Sequence, residues 1–400
     1  MGRIVYFSLP AHGHINPTLP VVRELSHRGH EVTYFSTARF HQSIQETGVQ
    51  FRSYHPDFCM PEQGPGAFAH VSATLESLLD QSCTVLEKHL EEVRALRPNH
   101  ILFDSFAPWG AMIAQLLDLP AIASVPSILV NAQIAARYGN ASAESEDARL
   151  TPQWYAAFEA QCHARLSRFR LAVLPSPPQL LQTYGDLNLV YTSRAFQPSA
   201  EAFDDRRFRF VGPCFSFRPK SPPFPFRQLD GRPLVYVSLG TVYGRQPGFI
   251  RACTEELAGG PWQVVLATGG LSMDSWGPLP GNFLAQSFVP QIDILRRAAA
   301  FVTHAGMNSI QEALYHAVPM VTAPLGADQF WLSARAAELG TALALNPLQF
   351  ASGSIRASVA RILSEPGFAS AAGREGRALR SAGGHRRAAD EIDNIVQASS

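Results

Sequence analysis

A histidine stands between the first predicted strand and the first predicted helix. The strand is predicted over Arg3–Leu9 and the helix over Pro17–Arg28, with Asn16 as its N-cap and a proline at the first helical position. Gly13 lets the backbone turn sharply, which leaves His14 facing the crevice at the strand end. An imidazole placed there can act as a general base. The alternative is a turn histidine that bonds a backbone carbonyl.

A carboxylate is predicted to lie beside this histidine. Asp104 follows the predicted strand His100–Phe103. The carboxyl ends of parallel strands meet at one edge of a sheet, so we expect Asp104 and His14 to be neighbours. A carboxylate fixes the tautomer of an imidazole and stabilises its protonated form, and such a base contributes roughly 10²–10⁴ in rate. The alternative for Asp104 is a helix N-cap.

The second half of the chain holds a denser group of polar residues. It follows the predicted strand Ala299–Thr303 and has the sequence HAGMNSIQE at positions 304–312. A helix that begins after a glycine turn offers unpaired N–H groups and the positive end of its dipole, which suits a pyrophosphate. His304, Asn308 and Ser309 add side-chain donors around it.

Several residues near this segment have two possible interpretations. Glu312 lies three residues after Ser309, so the pair can form a capping box, or Glu312 can accept hydrogen bonds from ribose hydroxyls. Phe288 can belong to the core or stack on a nucleobase. Asp328 and Gln329 follow another predicted strand, where they can bind sugar hydroxyls or simply start a helix.

Missing motifs narrow the chemistry further. The first strand–helix turn lacks GxGxxG, which disfavours a dinucleotide cofactor. Neither GxxxxGK[ST] nor GxSxG occurs, which argues against a nucleoside triphosphatase and an α/β-hydrolase. No His/Asp cluster has the spacing of metal ligands, so we expect no metal and no cofactor.

These residues are positioned by short apolar strands that alternate with helices. Continuous apolar runs are typical of parallel strands that are covered on both faces. Five prolines crowd into 213–232, which predicts an extended linker. We therefore predict an α/β protein with domains at 1–212 and 233–375 and a C-terminal helix at 376–400. The predicted strands, besides those already given, are Glu31–Ser36, Val49–Tyr54, Ala121–Val125, Leu234–Leu239, Gln263–Ala267, Phe283–Phe288 and Pro319–Ala323.

Composition excludes several classes of protein. Of the 400 residues, 46% are apolar and only 16% are charged, which favours buried cores over a disordered chain. Lys+Arg and Asp+Glu number 33 each, so there is no basic excess for nucleic acid or an anionic membrane. No apolar run is long enough to span a membrane, and the first strand leaves no room for a signal peptide. The five scattered cysteines form no CxxC pair, so a cytoplasmic protein is expected.

Taken together, these segments resemble the UDP-glycosyltransferase superfamily, and most closely its bacterial macrolide-type members. The resemblance covers essentially the whole chain and rests on HGHINP at 12–17, YVSLGT at 236–241 and the region 288–329. Met307 and Ala305 depart from the plant motif, which has Trp and Cys or Gly there. The resemblance implies the GT-B fold, in which two Rossmann-like domains with parallel sheets face each other across a cleft and the last helix returns to the first domain.

The resemblance also implies a role for individual residues. In an inverting, metal-independent reaction, His14 is the general base and Asp104 orients it. Phe288 stacks on the nucleobase, and Val289 meets the edge of the base through its backbone. The remaining residues assigned to the nucleotide sugar are Gly240, Thr241, Gln291, His304, Gly306, Asn308, Ser309, Glu312, Asp328 and Gln329.

The resemblance indicates the identity of the two substrates less directly than it indicates the roles of these residues. The Asp328–Gln329 pair resembles that of glucose-using members of the family, which favours UDP-glucose as the donor. A dTDP-deoxysugar is the alternative donor, because the Phe288 ring stacks on uracil and thymine alike. The expected acceptor is a hydroxyl of a hydrophobic natural product such as a macrolide, a polyketide or a flavonoid. Phe58, Phe68 and Trp109 are predicted to contact it, with core packing as the alternative.

Two other functions stay open at this stage. One is a nucleotide-sugar epimerase of similar shape, and the other is a non-catalytic, glycosyltransferase-like helper that binds a partner protein. The expected partners are the small-molecule acceptor and the nucleotide sugar, in a monomer or a homodimer.

Overall fold

Two parallel sheets form the framework of the computed structural model, which describes residues 1–59, 71–138, 150–217, 222–240, 246–272, 278–326, 328–346 and 351–398. The strands of the first sheet are β1 Arg3–Phe7, β2 Glu31–Ser36, β3 Gln50–Ser53, β4 His100–Asp104, β5 Ala121–Val125, β6 Leu187–Val190 and β7 Phe208–Phe210. Those of the second are β8 Leu234–Ser238, β9 Gln263–Ala267, β10 Phe283–Gln286, β11 Ala298–Thr303, β12 Met320–Thr322 and β13 Ala342–Ala344.

Helices connect these strands. They are α1 His12–Ile15, α2 Leu19–His27, α3 His41–Gln45, α4 Val71–Leu96, α5 Pro108–Leu117, α6 Ala132–Tyr138, α7 Pro152–Leu166, α8 Pro177–Leu181, α9 Pro247–Leu257, α10 Gln291–Leu295, α11 Met307–Tyr315, α12 Gln329–Glu338, α13 Ser354–Ser364, α14 Pro366–Ser381 and α15 Gly384–Ala398. Among the helices of the described ranges, none is long and apolar enough to cross a membrane.

The strand order of each sheet reverses once. The first sheet has the order β3-β2-β1-β4-β5-β6-β7, and the second has β10-β9-β8-β11-β12-β13, with every strand pair parallel. The chain therefore leaves β1 in one direction and returns to β4 on its other side, and β8 and β11 repeat this arrangement. Ligands of open α/β sheets bind at such reversal points, beyond the carboxyl ends of the strands. The predicted α/β class with two parallel sheets is confirmed.

Both faces of each sheet are buried, which explains the continuous apolar runs. In β1, Ile4 and Tyr6 pack into one core, whereas Val5 and Phe7 pack into the core on the opposite face. Residues 234–237 of β8 alternate between two cores in the same way. A strand covered by helices on both faces has no solvent side, so it carries no alternating polar positions.

The first strand–helix connection differs from its prediction. Residues 12–15 form a short helix of their own, and the N–H of Asn16 donates to the His12 carbonyl at 3.1 Å, which continues that turn. The next helix starts at Leu19, with Thr18 in the N-cap position. The prediction that Asn16 caps the helix is wrong, because its backbone is already helical.

The last helix lies against the first sheet. Ala388, Ile392 and Val396 of α15 pack into the same core as Ile4 and Val22. Charged groups reinforce this contact at its edge: the Arg28 guanidinium, for example, donates to the carboxylates of Asp390 and Asp393, each at 2.7 Å. The chain thus returns to its first domain after completing the second sheet.

Candidate active site

The reversal point of the first sheet brings His14 and Asp104 together. His14 lies in α1 just after β1, and Asp104 is the last residue of β4. The Nδ1 atom of His14 is 2.9 Å from Oδ2 of Asp104. The His14 side chain is 21% exposed, whereas that of Asp104 is 1% exposed. The carboxylate is therefore a buried support, and the imidazole is the group that a ligand can reach.

The environment of His14 makes it more basic. Burial alone would lower the pKa of His14, but the charge and hydrogen bond of Asp104, with a further contribution from the Asp328 carboxylate, raise it above its ordinary value. An ionised carboxylate only accepts hydrogen bonds, so Nδ1 of the neutral ring carries the proton and Nε2 keeps the lone pair. This is the protonation state that a general base needs.

Asp104 is held by a second bond. Its Oδ1 atom accepts from the backbone N–H of Phe106 at 2.8 Å, two residues along the chain, as in an Asx turn. The helix that follows begins at Pro108 with Ala107 at the N-cap, so the N-cap interpretation of Asp104 is wrong. The Phe106 ring also meets the imidazole of His14 edge to face, with ring centroids 5.2 Å apart.

A cleft of about 380 Å³ lies beyond these residues and is lined from both halves of the chain. Its size falls in the range of small-molecule sites, roughly 300–1,000 Å³. The sequence-predicted residues that line it are His14, Gly240, Phe288, Val289, Gln291, His304, Gly306, Asn308, Ser309, Glu312, Asp328 and Gln329. Thr241 lies outside the described residues. The structure therefore collects nearly all of the predicted donor residues in one place, opposite His14.

His304 sits between two glycines. A Cβ atom at Gly240 would lie 2.6 Å from the His304 ring, and one at Gly306 would lie 2.5 Å from it. Any side chain at either position would displace the His304 ring, so both glycines are needed to leave space for it. Burial lowers the pKa of His304 to about 4. The ring is therefore neutral near pH 7.

The first turn of α11 faces the same cleft. The helix begins at Met307 with Gly306 at the N-cap, so Asn308 and Ser309 belong to its first turn. Ser309 is thus three residues past the cap, and the capping-box interpretation of Ser309 with Glu312 is wrong. The free N–H groups of this turn and the adjacent side-chain donors form an electropositive end.

Glu312 has a fixed position at the floor of the cleft. It accepts from Nε2 of Gln291 at 2.7 Å, and Oε1 of Gln291 accepts in turn from the Tyr236 hydroxyl at 2.9 Å. Sequence reasoning did not assign a role to Tyr236, because a tyrosine in an apolar strand gives no signal of its own.

Two residues at the start of α12 are already engaged. Oδ2 of Asp328 accepts from the Ser127 hydroxyl at 2.6 Å, which links the two halves of the chain. Desolvation raises the pKa of Asp328. Oε1 of Gln329 accepts from the Leu325 N–H at 2.8 Å. The side-chain carbonyl therefore holds the loop before α12, and the side-chain amide nitrogen can donate to a ligand. Ser127 is a further cleft residue that the sequence did not reveal.

The aromatic residues divide between core and cleft. Phe288 is 53% exposed at the cleft, so the core interpretation does not apply to it. Trp109 has no exposed surface and Phe58 is buried; both pack in the core of the first domain, where Nε1 of Trp109 donates to the Tyr54 hydroxyl. The prediction that Trp109 and Phe58 contact the acceptor is wrong, because their rings are covered by other side chains. Phe68 lies outside the described residues.

Within the described ranges, no group of three or more His, Cys, Asp or Glu side chains is arranged to hold a metal ion. The polar groups of the cleft are instead hydrogen-bond donors, the separate carboxylates of Glu312 and Asp328, and an exposed aromatic ring. Such a set suits a phosphorylated organic ligand.

Comparisons with known proteins agree with this geometry. The family model of UDP-glucoronosyl and UDP-glucosyl transferases matches residues 224–374. NDP-glycosyltransferase YjiC of Bacillus licheniformis is 32% identical over 405 residues, which cover 98% of this chain and 97% of that protein. Demethyllactenocin mycarosyltransferase of Streptomyces fradiae is 33% identical over 416 residues, covering 99% of this chain and 87% of the relative.

A solved structure shows the same architecture. The crystal structure of the kitacinnamycin glycotransferase superposes with a TM-score of 0.83 at 30% identity, and the match covers 98% of each chain. The chain therefore belongs to the UDP-glycosyltransferase family and is a glycosyltransferase with the GT-B fold.

Proposed function

We propose that this enzyme transfers glucose from UDP-glucose to a hydroxyl group of a hydrophobic natural product, with inversion at the anomeric carbon and without a metal ion. One observation carries the proposal: the raised-pKa imidazole of His14, backed by Asp104, shares a single cleft with the first turn of α11. A base on one side and a phosphate-binding helix end on the other are the two parts that such a displacement requires.

His14 acts on the acceptor. Its Nε2 atom takes the proton of the acceptor hydroxyl while the oxygen attacks C1 of the sugar from the face opposite the leaving group. The C1–O bond to phosphate breaks, and the nucleoside diphosphate leaves with the electron pair. Asp104 holds the ring and balances the positive charge of the imidazolium that forms, which is the role of a buried carboxylate beside a catalytic histidine.

The leaving diphosphate is stabilised by the second domain. The N–H groups at the start of α11 and the Asn308 and Ser309 side chains supply donors to its oxygens. His304 is neutral in the free protein because its pKa is low, and a bound dianion favours its protonation. Donors aimed at developing charge in this way stabilise the transition state more than the ground state.

The rest of the donor is bound around this centre. Phe288 offers an open ring face to the nucleobase, and Val289 offers its backbone. Glu312, positioned by Gln291, accepts from the ribose hydroxyls. Asp328 and Gln329 bind the hydroxyls of the hexose, since a carboxylate and an amide together accept and donate.

A dTDP-deoxysugar is the second candidate donor. The relative from Streptomyces fradiae is named a mycarosyltransferase, and the relative from Bacillus licheniformis is named an NDP-glycosyltransferase. The exposed Phe288 ring stacks on thymine as well as on uracil, so the stacking contact does not separate the two bases. The same streptomycete relative, a demethyllactenocin-modifying enzyme by its name, supports a macrolide among the acceptors.

A panel of donors and acceptors read by mass spectrometry tests the proposal. UDP-glucose, UDP-galactose and dTDP-activated deoxysugars are each incubated with macrolides, aromatic polyketides and flavonoids. We expect a mass increase of one hexose on a hydrophobic acceptor with UDP-glucose. A deoxysugar added instead would favour the second donor. Epimerised donor without an acceptor, or no transfer across the whole panel, would contradict the proposed function.

A further inference from the structure

Phe106 touches both members of the His14–Asp104 pair. Its backbone N–H donates to Oδ1 of Asp104 at 2.8 Å. Its ring meets the His14 imidazole with 5.2 Å between centroids and 82° between planes. The side chain is half-buried, with one part packed on the core of the first domain. One residue therefore contacts the carboxylate through its backbone and the imidazole through its ring.

Backbone hydrogen bonds hold the segment that carries Phe106. The N–H of Ala107 donates to the carbonyl of Asp104 at 2.7 Å, which closes a tight turn around Phe106. The N–H of Ser105 donates to the carbonyl of Ser124 at 2.9 Å, which ties the turn to the neighbouring strand. Because the backbone on both sides is fixed, the Phe106 ring stands at a defined place beside the cleft.

A single hydrogen bond leaves an imidazole free to tilt. The bond from Nδ1 to Asp104 restrains one atom of the ring, and hydrogen bonds tolerate a broad range of angles. A second contact on the ring, made nearly at a right angle by another aromatic ring, restricts the remaining rotation. Edge-to-face pairs are a preferred and attractive geometry of aromatic rings.

We propose that Phe106 is a positioning residue for this reaction: its backbone N–H fixes Asp104 and its ring fixes the plane of His14, so that Nε2 stays aimed at the acceptor hydroxyl. This inference rests on the proposed role of His14 as the base. Misplacing a reacting group lowers the rate of the chemical step without changing donor binding, since the nucleotide contacts lie in the other domain.

Kinetics of Phe106→Leu and Phe106→Tyr test the proposal. Phe106→Leu keeps the backbone N–H and an apolar side chain but loses the ring. We expect kcat to fall roughly two- to tenfold, as the worth of an aromatic pair implies. The KM for the donor and the affinity for UDP, measured by calorimetry, should not change. Phe106→Tyr retains the ring and should keep kcat close to that of the wild type.

A double variant shows whether Phe106 acts through His14. In the His14→Ala background, Phe106→Leu should cause no further loss of the residual rate, because the ring has no imidazole left to position. The matched control is Phe40→Leu, since the Phe40 ring meets His12 edge to face at 4.9 Å in the same way. Phe40 is buried, so the control should lower the melting temperature but keep the kcat of the folded enzyme.

Three results would overturn the inference. They are an unchanged kcat in Phe106→Leu, an increase in acceptor KM as its only effect, and full additivity with His14→Ala. Wild-type activity in His14→Ala itself would instead refute the proposed base. The failure of this inference and the failure of the proposed mechanism are therefore distinguishable.

Discussion

Two histidines of one short helix, His12 and His14, occupy opposite electrostatic environments. Both line the cleft, and both meet a phenylalanine edge to face. His14 faces the buried Asp104 carboxylate, and its pKa is raised. His12 lies 3.2 Å from a guanidinium nitrogen of Arg39, and burial together with that charge lowers the pKa of His12. Neighbours therefore decide which of two similar imidazoles is suited to take a proton.

The two neutral rings share one tautomer, with the proton on Nδ1, but they differ in whether the lone pair of Nε2 is available. A guanidinium only donates, so Nε2 of His12 is the acceptor of the Arg39 bond and its lone pair is already used. In His14 the bond to Asp104 uses Nδ1 and leaves the lone pair of Nε2 available. The sequence HGH presents both residues identically, and the difference comes from Arg39 and Asp104, which are distant in sequence.

Replacing each histidine should give the largest contrast. We expect His14→Ala to reduce kcat by roughly 10²–10⁴, the contribution of a positioned base. His12→Ala should cost far less, because the His12 ring has no free lone pair for the acceptor. Steady-state rates with saturating donor measure both. Equal losses in the two variants would remove the distinction between the two sites.

Removing the charge of Asp104 should have the next largest effect. Asp104→Asn weakens a charge-assisted hydrogen bond, which corresponds to a fall of roughly tenfold to a hundredfold in kcat. The base must be neutral to work, so the acidic limb of the rate profile follows the pKa of His14. That pKa is raised by Asp104, so the limb should move to lower pH in the variant. An acidic limb that stays in place or moves to higher pH in Asp104→Asn contradicts the assignment of His14 as the base supported by Asp104.

Removing the charge of Arg39 should affect the rate little. Arg39 is exposed, and we expect Arg39→Ala to change kcat by at most about threefold, as for other exposed charges. The pKa of His12 should rise towards its ordinary value, since one cause of its depression is gone. NMR titration of the imidazole protons measures this shift. A large loss of activity would show that the His12–Arg39 pair takes part in the reaction.

The smallest effects should appear in the pH dependence of stability, where His14 and His12 should contribute with opposite signs. The raised pKa of His14 stabilises the fold below the unfolded pKa of about 6.5, and this contribution is lost as the pH rises through the folded value. The lowered pKa of His12 destabilises the fold as the pH falls below about 6.5.

Denaturant unfolding at pH 7.5 and pH 5.5 measures these contributions. Relative to wild type, His14→Ala should lose stability at the lower pH and His12→Ala should gain it. Changes in unfolding free energy of the same sign in both variants would contradict the opposite electrostatic environments of His12 and His14.

The sequence predicted that His14 and Asp104 are neighbours because both residues sit at strand ends. His14 and Asp104 follow two apolar strands, and parallel topology alone brings such positions together. The grouping of polar residues around His304 at one cleft was predictable for the same reason. The strands β6, β7 and β13 were not predicted, although β3, β10 and β12 are equally short and were.

Side-chain burial was harder to predict than topology. Trp109 and Phe288 are both aromatic residues beside functional segments, yet one is covered by core residues and the other is open. Only the packing of distant elements decides this. Phe106 and Ser127 were missed because their roles depend on contacts with His14 and Asp328, which no local pattern encodes.

The return of α15 to the first sheet brings Gly2 and Val396 into proximity. A Cβ atom at Gly2 would lie 3.2 Å from the Val396 side chain, and this contact is at the amino ends of the strands, whereas His14 lies beyond their carboxyl ends. An affinity tag or a solid support attached there would leave the cleft accessible to substrates.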